Sequence, residues 1–403
     1  LEPPADETRP VFSLDMGRLD RVLHIDEYSG LATIQAGALG PDIEEQLGAR
    51  GWTLGHFPDS FTYSTLGGWI ATRSSGMQSD KYGDIADMTK GLRAVTPAGV
   101  LVTRALPARS TGPDLNQMMI GSEGRLGIIT EAWMRIQERP RHRQSTSVTF
   151  TDGARAMAAV RTIAQSGLHP ANCRLLDPGE AGLAGAARNG EWVLVLGVES
   201  AHHPVDDTLG LLLELARTHG GTPAGPRADA ERPAADSDAP DTRDAAAEAW
   251  RSTFLRMPYL RDGMARMSAI VETFETATTW DRVEALYHDV NTEIGEAIRT
   301  ITGAPGLINC RFTHVYTDGP APYYSFSGMG RQGAEIEMWT ELKKAASDAV
   351  IANGGTITHH HAVGRDHMPW YRQQRPELFH SALKAAKSAL DPKGILNPGI
   401  LVD

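Results

Sequence analysis

Residues 56 to 76 read HFPDSFTYSTLGGWIATRSSG, with KYGD following at 81 to 84 and GSEGRLGIIT at 121 to 130. Small residues crowd the first stretch. Ser60, Ser64, Thr65, Gly67, Gly68, Ser74, Ser75 and Gly76 let the backbone come close to a flat or anionic ligand and offer it hydroxyl and amide donors. On composition alone this is a loop-rich binding surface. Around it, Val11 to Leu14, Leu31 to Ala36, Leu92 to Val95 and Val100 to Thr103 read as short strands. Pro41 to Arg50 reads as a helix, with proline in its first turn and Gly51 at its end. Ile128 to Gln137 adds another strand and runs into the charged Glu138 to Arg143 segment, so a mixed α and β domain is expected to end near residue 140.

Beyond that boundary the pattern changes. Ser147 to Phe150 and Trp192 to Val198 read as strands, and Ala154 to Gln165 and Leu209 to Thr218 as helices, which predicts an antiparallel sheet covered by helices. Residues 220–247 hold almost nothing that could form a core and read as a flexible insertion. Helix-like sequence resumes at Trp250. Strands recur at Ile270 to Phe274 and Cys310 to Tyr316, a long helix is expected from Ala334 to Ala352, and His380 to Leu390 closes the chain as an amphipathic helix.

The 403 residues suffice for two or three domains of about 150 residues each. With 41% hydrophobic and 22% charged residues, a coiled coil, a collagen-like chain and wholesale disorder are excluded. Fifty acidic residues against 39 Lys and Arg leave a net charge of -11, which argues against nucleic-acid binding. Cys173 and Cys310 are the two cysteines; they encode neither a disulfide framework nor a zinc-thiolate site, and a cytoplasmic setting is expected. No apolar run reaches the roughly 20 residues of a membrane span.

Two further motifs have competing readings. Gly328, Gly330 and Gly333 form a GxGxxG between a strand and a helix, but the acid that should end a second strand about 20 residues on is absent, so a glycine-rich loop is the better reading. Gly354 to Thr358 reads as a strand leading into His359, His360 and His361, with His359 and His361 on one face. Those two imidazoles with His314 could ligate a metal. A histidine cluster that hydrogen-bonds substrate or cofactor is the alternative, and with no Cys or Glu companion at ligand spacing no metal is expected.

The wording PDS, STLGG and GSEGRLG resembles the flavin-binding segment of the FAD-linked oxidase superfamily of the vanillyl-alcohol oxidase type. Residues 250–281 (WRSTFLRMPYLRDGMARMSAIVETFETATTWD), the Tyr316 to Phe326 stretch and ANGGTITHHHAVG at 352 to 364 narrow this further. They are similar to the alkyldihydroxyacetonephosphate synthase family. The resemblance covers nearly the whole chain and implies an α+β fold: a FAD-binding domain over 1–139, a substrate or cap domain with an antiparallel sheet over 140–349, and a C-terminal helical return over 350–403 that completes the active site. Members of the superfamily carry a preceding subdomain whose glycine-rich loop holds the FAD pyrophosphate. Leu1 lies just past where that loop should end, so that subdomain is expected to be missing from the sequence.

The resemblance implies non-covalent FAD, lined by Pro58, Asp59, Ser60, Ser64, Thr65, Gly67, Gly68, Thr72, Arg73, Ser74 and Ser75 and by Glu123, Gly124, Leu126, Gly127, Ile128 and Ile129. In the family a fatty alcohol replaces the acyl group of an acylated dihydroxyacetone phosphate without net redox. The substrate carbanion adds at flavin N5, carboxylate leaves, and the alcohol attacks the resulting imine. Tyr323 aligns with the family's acid/base tyrosine and Arg261 with its phosphate-binding arginine. A phenol of ordinary acidity is a weak base at neutral pH, so Tyr323 needs a cation or histidine donors beside it, and His359, His360 and His361 are the expected neighbours. Without the family, Tyr323 and Tyr324 read equally well as strand aromatics and Arg261 as a surface ion pair. The resemblance also implies a homodimer and leaves a peripheral membrane contact open.

Two other functions remain. FAD-linked D-2-hydroxyacid dehydrogenases share the fold, but they resemble GHxGDGNxH where this chain reads THVYTDGPAPYY and EHGxG where it reads HHHAVG. A flavin-free binding protein is the third reading, if the leading subdomain is truly absent.

Overall fold

The computed structural model describes residues 8–107, 110–187, 189–224, 261 and 263–402. Two compact units share the chain: residues 1–139 with 360–403, and residues 140–359. The chain leaves the first unit between Arg139 and Pro140 and returns inside the histidine triplet, ten residues later than the expected 350.

The first unit contains β1 (Val22–Asp26), β2 (Leu31–Gln35), α1 (Gly40–Gly48), β3 (Trp52–Thr53), α2 (Leu66–Thr72), α3 (Ser79–Tyr82), α4 (Ile85–Met88), β4 (Thr89–Thr96), β5 (Gly99–Val102), α5 (Leu115–Met119), β6 (Ile128–Arg135) and β7 (Gln137–Glu138). Five strands form a sheet in the order β1-β2-β6-β4-β5, and β3 pairs with β7. The core gathers one face of these strands, including Ile34, Leu92, Ala132 and Met134, under Ile43, Leu66 and Ile70 of the helices. Val11 to Leu14 does not form the expected strand. The sheet ends at β1, no strand among the described residues pairs with this segment, and Phe12 is 90% exposed.

In the second unit the chain runs through β8 (His142–Phe150), α6 (Gly153–Ala164), β9 (Asn172–Leu176), α7 (Pro178–Leu183), β10 (Trp192–Ser200), α8 (Asp206–Thr218), β11 (Thr222–Pro223), β12 (Ala269–Glu275), α9 (Val283–Thr302), β13 (Leu307–Val315), β14 (Pro320–Met329) and α10 (Glu335–Ala352). Among the described residues seven strands are ordered β11-β8-β10-β9-β13-β14-β12, and each pairing between them is antiparallel. Alternate strand residues such as Phe150, Leu175, Leu194, Phe274, Phe312 and Tyr324 bury one face of the sheet in a single core with α6, α8, α9 and α10.

Three expectations change. The supposed flexible insertion over 220–247 begins as structure, because Thr222 and Pro223 pair with Thr149 and Val148; its residues from 225 on, and the helix expected from Trp250, lie outside the described residues. The GxGxxG glycines are not one loop: Gly328 lies in β14 within an antiparallel sheet and Gly330 is pressed against the Ser268 carbonyl, both serving close packing, while Gly333 takes a φ of 83° in the turn before α10. Gly354 to His361 is irregular rather than a strand. Single contacts hold its first part: the Thr356 N–H donates to Ala277 O, and Thr276 Oγ1 donates to Thr356 O. A strand's alternation of faces therefore does not apply to the histidines. The first unit is completed by α11 (Met368–Gln374) and α12 (Glu377–Leu390).

Candidate active site

In the first unit the small-residue stretch folds as a turn, a short helix and a second turn. The Phe61 N–H donates to Pro58 O, and Ser60 and Ser64 bond to each other at 2.9 Å, while Trp69 Nε1 donates to Ser64 Oγ at 2.6 Å. Thr65 caps α2 by accepting from the Gly68 N–H. Gly67 must be glycine here, since a Cβ would lie 2.8 Å from the Ala36 side chain. Gly68 and Asp59 face solvent, and Thr72 Oγ1 donates to the Gly68 carbonyl. Arg73 ends the helix at φ 56° and reaches Gln117 Oε1 at 2.9 Å. Behind the second turn, buried Ser74 shares a 2.7 Å hydrogen bond with His56 Nε2. Burial pushes His56 down to about 4, with Asp84 pulling upward and His360 adding to the depression.

The GSEGRLG segment does more than line a ligand. Its turn puts Gly121, Glu123 and Gly124 at positive φ. Glu123, expected at the cofactor, turns its carboxylate onto the backbone that follows the histidines, accepting from Val363 N and Gly364 N at 2.8 Å each. Burial raises its pKa against the opposing pull of those two bonds. Arg125 donates to the carbonyls of Leu396, Asn397 and Val402, and so fastens the chain's last residues. Leu126 and Gly127 are buried, and Ile128 and Ile129 open β6.

The second unit's sheet carries charge on the face opposite its helices. In β12, β14 and β13 the register places Glu275 opposite Tyr323 and Tyr323 opposite Arg311. All three are buried. The Arg311 guanidinium lies over the Tyr323 ring, its carbon 4.0 Å from the centroid, and Nη1 donates to Glu180 Oε1 at 2.8 Å. Arg174, on β9, is buried on the same face and donates to Thr313 O. The cation that lies on the Tyr323 ring is thus Arg311, which sequence reasoning passed over. The readable signal was a charged residue inside each of three largely apolar strands: Arg311 in LINCRFTHV, Arg174 in NCRLL and Glu275 in AIVETFE.

His359 meets a different phenol from the one expected. Tyr316 Oη and His359 Nε2 are 2.7 Å apart, and the His314 ring lies 5.3 Å from that of His359. Glu275 Oε1 accepts from the His359 backbone N–H at 2.8 Å and from Thr358 Oγ1 at 2.7 Å, with Oε2 3.6 Å from His359 Nδ1. The acidic companion that the sequence did not reveal is therefore Glu275. His360 and His361, in the first unit, meet edge to face at 4.8 Å, so the expected sharing of a face by His359 and His361 gives way to this pairing. A groove of about 640 Å³ opens beside Tyr316, between Thr278, Arg282 and Gly354.

Arg261 is not brought to Tyr323. It is exposed and pairs at 3.3 Å with Glu272, which also accepts from Trp339 Nε1 and lies, like Phe274, on the helix-covered face of β12. The surface ion pair is what the geometry shows.

Known proteins are similar to this chain over its full length. Residues 139–401 match the FAD linked oxidases, C-terminal domain, and residues 4–104 the FAD binding domain. The alkyldihydroxyacetonephosphate synthase of Trypanosoma brucei brucei is 33% identical over all of this chain and 67% of its own length, and that of Caenorhabditis elegans 33% identical over all of this chain and 70% of its own. The chain belongs to the alkyldihydroxyacetonephosphate synthase family. A solved alkyldihydroxyacetonephosphate synthase matches 98% of the chain and 68% of its own with a TM-score of 0.78 at 28% identity. The α+β fold is accordingly that of the FAD-linked oxidases, and the chain is a FAD-dependent enzyme of the alkyldihydroxyacetonephosphate synthase type.

The residues present fit FAD. Ser122 Oγ and His56 Nδ1 are buried polar atoms with no partner among the described residues, and a Cβ on Gly68 would touch nothing closer than Thr65 Oγ1 at 3.4 Å. Buried polar atoms without partners and a glycine with open space suit a ligand rich in ring nitrogens, carbonyls and phosphate oxygens. Among the described residues, no helix is long and apolar enough to cross a membrane.

Proposed function

We propose that this enzyme exchanges the acyl group of an acylated dihydroxyacetone phosphate for a fatty alcohol, leaving an ether and a free fatty acid without net redox. The observation that carries this reading is the row Glu275, Tyr323 and Arg311 on one face of the sheet, a buried phenol between a carboxylate and a guanidinium. Bound FAD supplies the electron-withdrawing ring system that lets one oxygen substituent leave and another enter at the same carbon. The Ser60 to Ser75 turns and the Glu123 to Ile129 segment hold it without a covalent bond, so acid precipitation releases it.

Tyr323 moves the proton. A full positive charge over its ring stabilises the tyrosinate more than the neutral phenol, so its Oη can take the proton from the carbon that bears the acyl group. The same Oη can return a proton later in the cycle. His359, oriented by Glu275 and Tyr316, is a hydrogen-bonding group of the site, and His360 and His361 flank the loop that Glu123 fixes. Arg261 serves as the phosphate ligand in this reading only by leaving Glu272, which lies on the face of β12 away from Tyr323; an exposed guanidinium held by one carboxylate at 3.3 Å can make that exchange.

Tyr323→Phe tests the reading. It keeps the ring and its contact with Arg311 while removing the hydroxyl, so FAD should remain bound and turnover should fall by about 10²- to 10⁴-fold. Wild-type turnover in this variant would remove Tyr323 from the chemistry.

A further inference from the structure

The sequence LLDPGEAG at 175 to 182 was read for no function, and it supplies the partner of Arg311. Asp177 ties the start of α7 to β13 and to α9. Asp177 caps the helix by accepting from the Glu180 N–H at 2.8 Å, and its other oxygen accepts from the Cys310 N–H at 2.7 Å, one residue before Arg311. Tyr287 Oη adds a 3.2 Å bond to that oxygen. Between them, Gly179 leaves no room for a side chain, since a Cβ would lie 1.9 Å from Asn309 Oδ1. The helix is flush with the strand, and Glu180 has one place to go.

We propose that Glu180 is a positioning residue for proton transfer: by holding the Arg311 guanidinium flat on the Tyr323 ring and offsetting part of its charge, it sets how readily that phenol ionises. This rests on the reading of Tyr323 given above. The geometry suits it because a guanidinium donates in its plane, so the bond to Glu180 leaves its face for the ring. Stability alone is a poor reason for a buried ion pair here, because well-packed apolar residues of similar volume often serve as well or better. Among the described residues, the charged groups that register and ring contact bring to the phenol include Arg311 from β13, Glu275 from β12 and, through Arg311, Glu180 from α7, with Arg174 of β9 buried on the same face. When the ring gains negative charge, its attraction to Arg311 grows from that of a quadrupole to that of a full charge.

The test uses the FAD-loaded enzyme and two readouts: the pH profile of kcat/KM for alkyl exchange, and the near-ultraviolet tyrosinate titration taken as a difference from the Tyr323→Phe variant. Glu180→Gln keeps volume and a hydrogen-bond acceptor but removes the offsetting charge. The acidic limb and the tyrosinate titration should both move down by about one pH unit. Arg311→Gln should move both up. Glu180→Asp, which keeps the charge but shortens the arm and draws the guanidinium off the ring, should also move both up, and it serves if Glu180→Gln does not fold. Lowered thermal stability with both readouts unmoved would make the pair merely structural and overturn the proposal. Undiminished turnover in Tyr323→Phe would instead overturn the reading of Tyr323, while the tyrosinate titration would still report on Glu180.

Discussion

Glu275 and His359 are 84 residues apart in sequence, yet one carboxylate accepts the His359 backbone N–H at 2.8 Å and stands 3.6 Å from its ring Nδ1. The same residue faces Tyr323 across the β12–β14 pairing. Glu275 thus fixes the irregular loop before the histidines to the strand that borders the phenol. Glu275→Gln keeps the shape and one acceptor but loses the charge that orients the ring. Alkyl exchange should fall at least about 10-fold in kcat with FAD still bound, and the variant's urea midpoint should change little. An unchanged kcat would mean that His359 needs no such orientation.

Glu123 performs a comparable task in the first unit, bonding two consecutive amides at Val363 and Gly364. In Glu123→Ala both amides lose their acceptor, and the cost should be about 1 to 3 kcal/mol per group left buried and unpaired. Denaturant unfolding reads that cost. Limited proteolysis should show new cleavage around residues 362–364, and protection there equal to wild type would show that the loop is held by other contacts.

Acid should weaken the protein through His56. Its imidazole takes up a proton near 6.5 when unfolded but only near 4 when folded, so between these pH values the unfolded state binds more protons and stability falls as pH drops. The span amounts to about 3 kcal/mol. Asp177 opposes it: burial raises this carboxyl to about 6, so its folded form holds a proton that the unfolded chain releases, and its contribution grows as pH falls through the same window. Comparison with His56→Gln isolates the first effect. The stability advantage of the wild type over the variant should shrink steadily from about pH 6.5 to about pH 4 in urea titrations; a constant difference would contradict the buried neutral imidazole.

Much of the scaffold was legible because its signals are local. Pro41 and Gly51 bracket α1, and the apolar runs at Leu31 and Trp192 lie in strands. Val11 to Leu14 is apolar too and stays exposed, since a strand needs a partner that a local apolar run cannot supply. The site was legible only in its residue types. Which phenol meets His359 depends on a turn between β13 and β14 that brings Tyr316 to it, and Arg311 meets Tyr323 through register. Glu180, Arg311 and Tyr323 come from three elements, and no spacing in the sequence connects them.

The most direct measurement mixes the FAD-loaded enzyme, without oxygen, with a long-chain acyl dihydroxyacetone phosphate and a long-chain alcohol, and follows flavin absorbance and products together. The account predicts one ether and one free fatty acid per turnover, the flavin left oxidised, no lasting bleaching by D-lactate or D-2-hydroxyglutarate, and no effect of a chelator. Stoichiometric bleaching by such a hydroxyacid, abolished by the chelator, with no ether formed, would contradict it and assign the same fold to a dehydrogenase.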